Sequence, residues 1–116
     1  MNYVIKDYEI IGTVKLSTES IVFTRGNDIQ HYPINELAHL EVFLLGIKGE
    51  FYAGRAITTK IGTDNFVKFQ CNLKSVEVRF LMEEKNALPL NNVLKSWTES
   101  QTKFKLHNQT KYDFGK

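Results

Sequence analysis

Residues 90–104, Leu90-Asn91-Asn92-Val93-Leu94-Lys95-Ser96-Trp97-Thr98-Glu99-Ser100-Gln101-Thr102-Lys103-Phe104, decide the fold. Leu90, Val93, Leu94, Trp97 and Phe104 recur at helical spacing and make one apolar stripe, broken only at Gln101. Lys95, Ser96, Glu99, Ser100 and Lys103 take the other faces, and Glu99 and Lys103 stand four apart as a helix-supporting pair. Pro89 fits the first turn of such a helix, where its missing N–H does no harm. Nearly everything before this stretch reads as β. One amphipathic helix after a run of strands covers the open side of a curved sheet.

Working back from the helix, Val76, Val78, Phe80 and Met82 alternate with Glu77, Arg79 and Leu81, the cleanest strand signal in the chain. Phe66–Cys71 reads as the strand before it, and residues 56–61 as the one before that. Leu37–Leu45 is a fourth run, apolar on both faces at Val42-Phe43-Leu44-Leu45. Toward the N-terminus, Ile10, Gly12, Val14 and Leu16 alternate with polar partners, and Ser17–Ser20 turns the chain into Ile21–Thr24. Arg25-Gly26-Asn27-Asp28 turns it again into Ile29–Ile34, where Pro33 belongs at an edge or a strand end. The expected fold is mainly β with one C-terminal helix over Leu90–Phe104 (α+β), about seven antiparallel strands in a partly open barrel. Its core includes Val14, Phe23, Val78, Phe80, Leu94 and Trp97. One domain spans residues 1–106. Residues 107–116 form a polar tail, flexible or folded back, whose removal leaves the melting temperature nearly unchanged.

Composition bounds the function. The 116 residues suit one core, and no window approaches the roughly 18 apolar residues of a membrane-spanning helix. Acidic residues stand where a signal peptide carries its basic and apolar regions, so the expected location is cytoplasmic. Cys71 is the single cysteine, which excludes an intrachain disulfide and a thiolate zinc site and fits a reduced compartment. The net charge of +2 is uneven: residues 1–84 hold 9 basic and 11 acidic side chains, whereas residues 85–116 hold 6 and 2. His31, His39 and His107 show no metal-ligand spacing, and the glycines at 46, 49 and 54 match no phosphate loop. No cofactor and no catalytic residue is expected, and the chain reads as a non-enzyme.

The order of seven short strands and one C-terminal helix resembles the pleckstrin-homology (PH) superfold. Gly12-Thr13-Val14-Lys15-Leu16-Ser17, Ile21-Val22-Phe23-Thr24 and Tyr32-Pro33-Ile34-Asn35-Glu36-Leu37 look like the opening of GRAM-type and bacterial PH-like domains, and Trp97 sits where PH domains place a helix tryptophan. The resemblance covers residues 8–104. It implies two near-orthogonal sheets with one end plugged by the helix, and a binding module rather than an enzyme. Lipid-binding members carry a basic cluster in the first hairpin; here Lys15 and Glu19 stand alone.

The expected function is an adaptor or binding module for a protein or peptide, through an exposed strand edge, the groove beside the helix, or the 46–54 loop. Val42, Phe43, Lys48, Phe51, Tyr52 and Arg55 are the candidate contacts, since apolar and aromatic side chains dominate interface energetics. The same patch suits self-association, and 46–54 reads equally as a plain long hairpin with a bulge. The alternative is an anionic membrane surface, met by Lys48, Arg55 and the helix lysines. Nucleic acid is not expected. Phe104-Lys105-Leu106-His107 resembles the end of a LytTR-type DNA-binding domain, but Asn108 and Gln109 replace the arginine and serine that follow there.

Overall fold

The computed structural model describes residues 1–4, 9–51 and 59–115. They form eight strands and one helix: β1 (Asn2–Val4), β2 (Ile10–Leu16), β3 (Ser20–Arg25), β4 (Asp28–Pro33), β5 (Ala38–Leu44), β6 (Asn65–Cys71), β7 (Lys74–Leu81), α1 (Glu84–Glu99) and β8 (Lys105–Asn108). One sheet holds all the strands in the order β4-β3-β2-β1-β7-β6-β5-β8. Two antiparallel meanders, β2-β3-β4 and β5-β6-β7, are thus joined through the short β1, which pairs with both β2 and β7.

The sheet curls on itself. Tyr32 of β4 and Phe69 of β6 have four strands between them in the order, yet their ring centroids lie 5.0 Å apart, edge to face. Tyr3 and Phe23 extend the same aromatic row. At the β2–β3 crossing a Cβ on Gly12 would sit 1.7 Å from the Thr24 carbonyl oxygen, so only glycine fits there. Inside the curl, Val14, Ile21, Val42, Leu44, Val67, Val78 and Phe80 are buried, each on the inward phase of its strand. Phe23, expected in the core, is half-buried at its margin.

The helix closes the curl with Ala87, Leu90, Asn91, Leu94 and Trp97. It begins six residues before Leu90, because Glu83 and Asn86 cap it: the Asn86 side chain accepts the Glu83 N–H at 2.9 Å. Pro89 therefore lies inside the helix rather than in its first turn. It deprives the Lys85 carbonyl of a partner, but both residues are on the exposed side, where water replaces the bond. The helix ends at Glu99, five residues short of Phe104. Gln101 takes φ +60°, its N–H meets the Thr98 carbonyl, and Thr102 N–H returns to the Trp97 carbonyl at 2.9 Å. This left-handed cap turns the chain out of the helix. Phe104 reaches Trp97 from the following connection, edge to face at 5.4 Å. Lys103 is outside the helix, so its pairing with Glu99 does not support it.

The strand count differs from the expectation, and the C-terminal segment takes the second of its two expected forms. Among the described residues there are eight strands rather than about seven, and the eighth is parallel: Glu41–Leu44 of β5 pair with Lys105–Asn108. Residues 107–115 fold back onto the body, with Phe114 only 4% exposed and the Gly115 N–H held by Asn91 Oδ1 at 2.8 Å. Of the strand expected over residues 56–61, residues 56–58 lie outside the described residues; Thr59 makes a bridge to Phe51. No helix among the described residues is long and apolar enough to cross a membrane.

Candidate functional site

Of the six candidate contacts, Val42, Phe43, Lys48 and Phe51 lie among the described residues. Val42 is wholly buried and offers no surface, which removes it as a contact: β5 turns Leu40, Val42 and Leu44 into the curl and Glu41 and Phe43 outward. Phe43 is half-buried on the outer face, its ring stacked with Phe66 at 4.4 Å and with His107 at 4.2 Å between centroids. Lys68 lies 5.3 Å above the same ring. Lys48 is exposed, and Phe51 is 56% exposed. Tyr52 and Arg55 lie outside the described residues.

Phe51 stands on a hairpin whose base is pinned. The Asn65 side chain, wholly buried, accepts the N–H groups of Leu45 and Gly46 at 2.7 and 3.1 Å and donates to the carbonyls of Gly46 and Gly62, both at 2.8 Å. Every hydrogen-bonding position of that amide is filled. Gly62 has φ +79°, and a Cβ there would press on Lys48 N and Met82 O. Further out, Gly49 N–H meets Lys60 O and Lys60 N–H meets Glu50 O. The arms are paired out to the Phe51–Thr59 bridge, and residues 52–54 of this stretch lie outside the described residues.

Glu50 ties that hairpin to the C-terminal segment. Its carboxylate is 2.9 Å from Lys60 Nζ and accepts the Lys111 N–H at 2.7 Å. Burial alone would raise its pKa, but the Lys111 amide and the Lys60 ammonium outweigh it and hold the carboxyl below its ordinary value. Glu41 is also held low, first by His107, whose Nε2 is 3.2 Å away, and then by Lys68.

A recess among the described residues lies elsewhere. A cleft of about 960 Å³ lies between the start of β5 and the α1–β8 connection. Leu37, Leu40, Phe104 and Leu106 give it apolar walls, and His39, Lys103 and Lys105 stand on its rim. It shares Leu37, Leu40 and Gln101–Lys103 with a second recess of about 630 Å³ that reaches Thr18 and Ile34 of the helix-docking turn region. Two non-glycine residues with left-handed backbone meet at this cleft, His39 (φ +54°) and Gln101 (φ +60°). His39 marks a bulge in β5, where the pairing shifts between Ala38↔Gln70 and Glu41↔Lys68. Strained backbone of this kind persists only where surrounding packing enforces it, and it gathers at binding sites.

Among the described residues no group of three or more His, Cys, Asp or Glu could hold a metal ion. Cys71 is a half-buried free thiol. Sequence reasoning named the groove beside the helix but none of its residues. The single legible sign was Gln101, the polar break in the apolar stripe; the left-handed bulge at His39 sits inside a strand run with no turn cluster around it. No protein-family model matches the sequence, and neither does any curated protein.

Proposed function

We propose that this chain is a non-catalytic binding module on a PH-like scaffold, recognising a protein or peptide in the cleft between β5 and the α1–β8 connection. The scaffold reading draws on seven strands, β1 to β7, paired antiparallel and curled, with the single helix after them and Trp97 in the core. The observation that carries the function is the cleft itself. Its volume is in the range of ligand sites, it is apolar within and polar at the rim, and it lies against a strand edge. An extended peptide added there draws affinity from main-chain hydrogen bonds and selectivity from the pockets beside them.

The test is affinity capture from lysate of the organism of origin, membranes retained, with the wild-type chain and an Ala38→Trp variant that fills the cleft and keeps the wild-type circular dichroism. A protein partner held at near-stoichiometric yield by wild type and lost from the variant supports the reading. Equal recovery by both chains, or recovery of lipid alone, rejects it.

A further inference from the structure

Resting on that cleft reading, we propose that the cleft captures a peptide C-terminus: a short strand laid along Ala38–Leu40 parallel to β5, with its terminal carboxylate beside Lys103 and Lys105. Three observations lead there. First, β8 pairs only with Glu41–Leu44, so on that side the β5 edge from Ala38 to Leu40 has no strand partner among the described residues. Second, the line is blocked. Lys105, the first residue of β8, sits opposite Glu41, so a strand added in the cleft must end at that point. At roughly 3.3 Å per residue, three or four residues fill the free length. Such a ligand presents a chain end, not the middle of a chain.

Third, charge selects which end. Neither Lys103 nor Lys105 forms an ion pair with a described carboxylate, and both are exposed on the rim. Glu41, the acid nearest in the register, is engaged by His107 and Lys68. A terminal ammonium would meet like charge at the block; a terminal carboxylate meets two free cations, and charge-assisted hydrogen bonds are the strong ones. β5 runs from Ala38 toward Leu44, so the strand whose C-terminus reaches Lys105 is the parallel one, continuing the direction of β8. Leu37, Leu40 and Phe104 then supply the apolar wall for the last side chains.

The experiment uses the whole chain and a fluorescein-labelled pentapeptide library, randomised over the last four positions with free carboxylates. The best binder is compared with its C-terminal amide by fluorescence anisotropy, and its site is mapped by amide chemical shifts. The expected result is that amidation weakens binding at least about tenfold, the worth of one charged hydrogen bond. Shifts should concentrate at Ala38–Glu41 and Gln101–Lys105. A Lys103→Gln, Lys105→Gln variant should bind the acid about as weakly as wild type binds the amide, and acetate should not displace the peptide. Acid and amide bound equally in the cleft overturns terminal capture and leaves the module reading standing. Displacement by millimolar acetate overturns it in favour of a free small carboxylate. A binder that maps away from the cleft counts against both, and a library with no binder overturns terminal capture.

Discussion

The indole Nε1 of Trp97 donates to the Ser17 carbonyl at 2.7 Å, across 80 residues of chain. One residue away, Thr18 Oγ1 donates to Ser96 Oγ at 2.8 Å. The helix is thus not merely laid on apolar surface. Its last turn is fastened to the β2–β3 turn by these two bonds.

Trp97→Ala should destabilise the chain by roughly 3–5 kcal/mol, because a fully buried large ring is lost. Trp97→Phe keeps much of the volume but leaves the Ser17 carbonyl without its donor, at about 1–3 kcal/mol. Urea unfolding measures both. A loss below about 1 kcal/mol for the alanine variant would contradict the helix as the plug of the curl.

The C-terminal segment should matter far more than its polar composition suggests. Phe114→Ala should cost about 3 kcal/mol or more, since the ring is buried against the core. Removing residues 107–116 also takes away His107 from the Phe43 ring and Asn108 from the β5 ladder. Thermal unfolding of the truncated chain should show a clearly lower midpoint; an unchanged one would mean the segment is not docked in solution.

Asn65→Ala should cost about 3 kcal/mol or more, because two N–H groups and two carbonyls at the hairpin base lose their partner at once. Asn65→Asp keeps the two accepted bonds but aims a carboxylate oxygen at the Gly46 and Gly62 carbonyls, so it should not rescue. Hydrogen exchange at Gly49 and Lys60 should quicken in both variants.

Acid should loosen β8. The folded-state pKa of Glu41 lies below its ordinary 4.5, with His107 the first cause. A depressed carboxylate contributes stability that is full above the unfolded pKa and is lost as pH falls through the folded one. Glu50 shifts the same way and anchors Lys111 of the same segment. Stability should therefore decline as pH drops below about 4.5, with the amides of residues 105–111 losing protection first. Glu41→Gln should flatten the part of that dependence arising at β8.

Gln101→Gly should stabilise the chain by up to about 1 kcal/mol, since glycine enters the left-handed region without the side-chain clash that glutamine bears. Chemical denaturation reads this directly. A destabilised variant would show that the Gln101 side chain makes up for its backbone.

Much of the strand pattern was plain in the chain. Val76, Val78 and Phe80 alternate with polar neighbours because one face of β7 is buried, and a period of two is written in consecutive residues. The Ser17–Ser20 and Arg25–Asp28 turns were equally plain, since local backbone chemistry selects their residues. The core face of the helix, through Leu94 and Trp97, followed from spacing alone.

Local pattern alone could not place the ends of the helix or the partners of its neighbours. Phe104 fits the helical period but reaches Trp97 across a left-handed turn at Gln101, a conformation that residue type does not announce. Lys105–Asn108 looks like a polar tail until the edge of β5 is there to receive it, since a four-residue parallel strand has no stability of its own. Val42 and Phe43 are adjacent and both apolar; register alone sends one into the core and the other onto His107. The cleft arises from all three: the helix stop, the added strand and the bulge at His39. Each is set by contacts between residues far apart in the chain, and such contacts exist only once the sheet has curled.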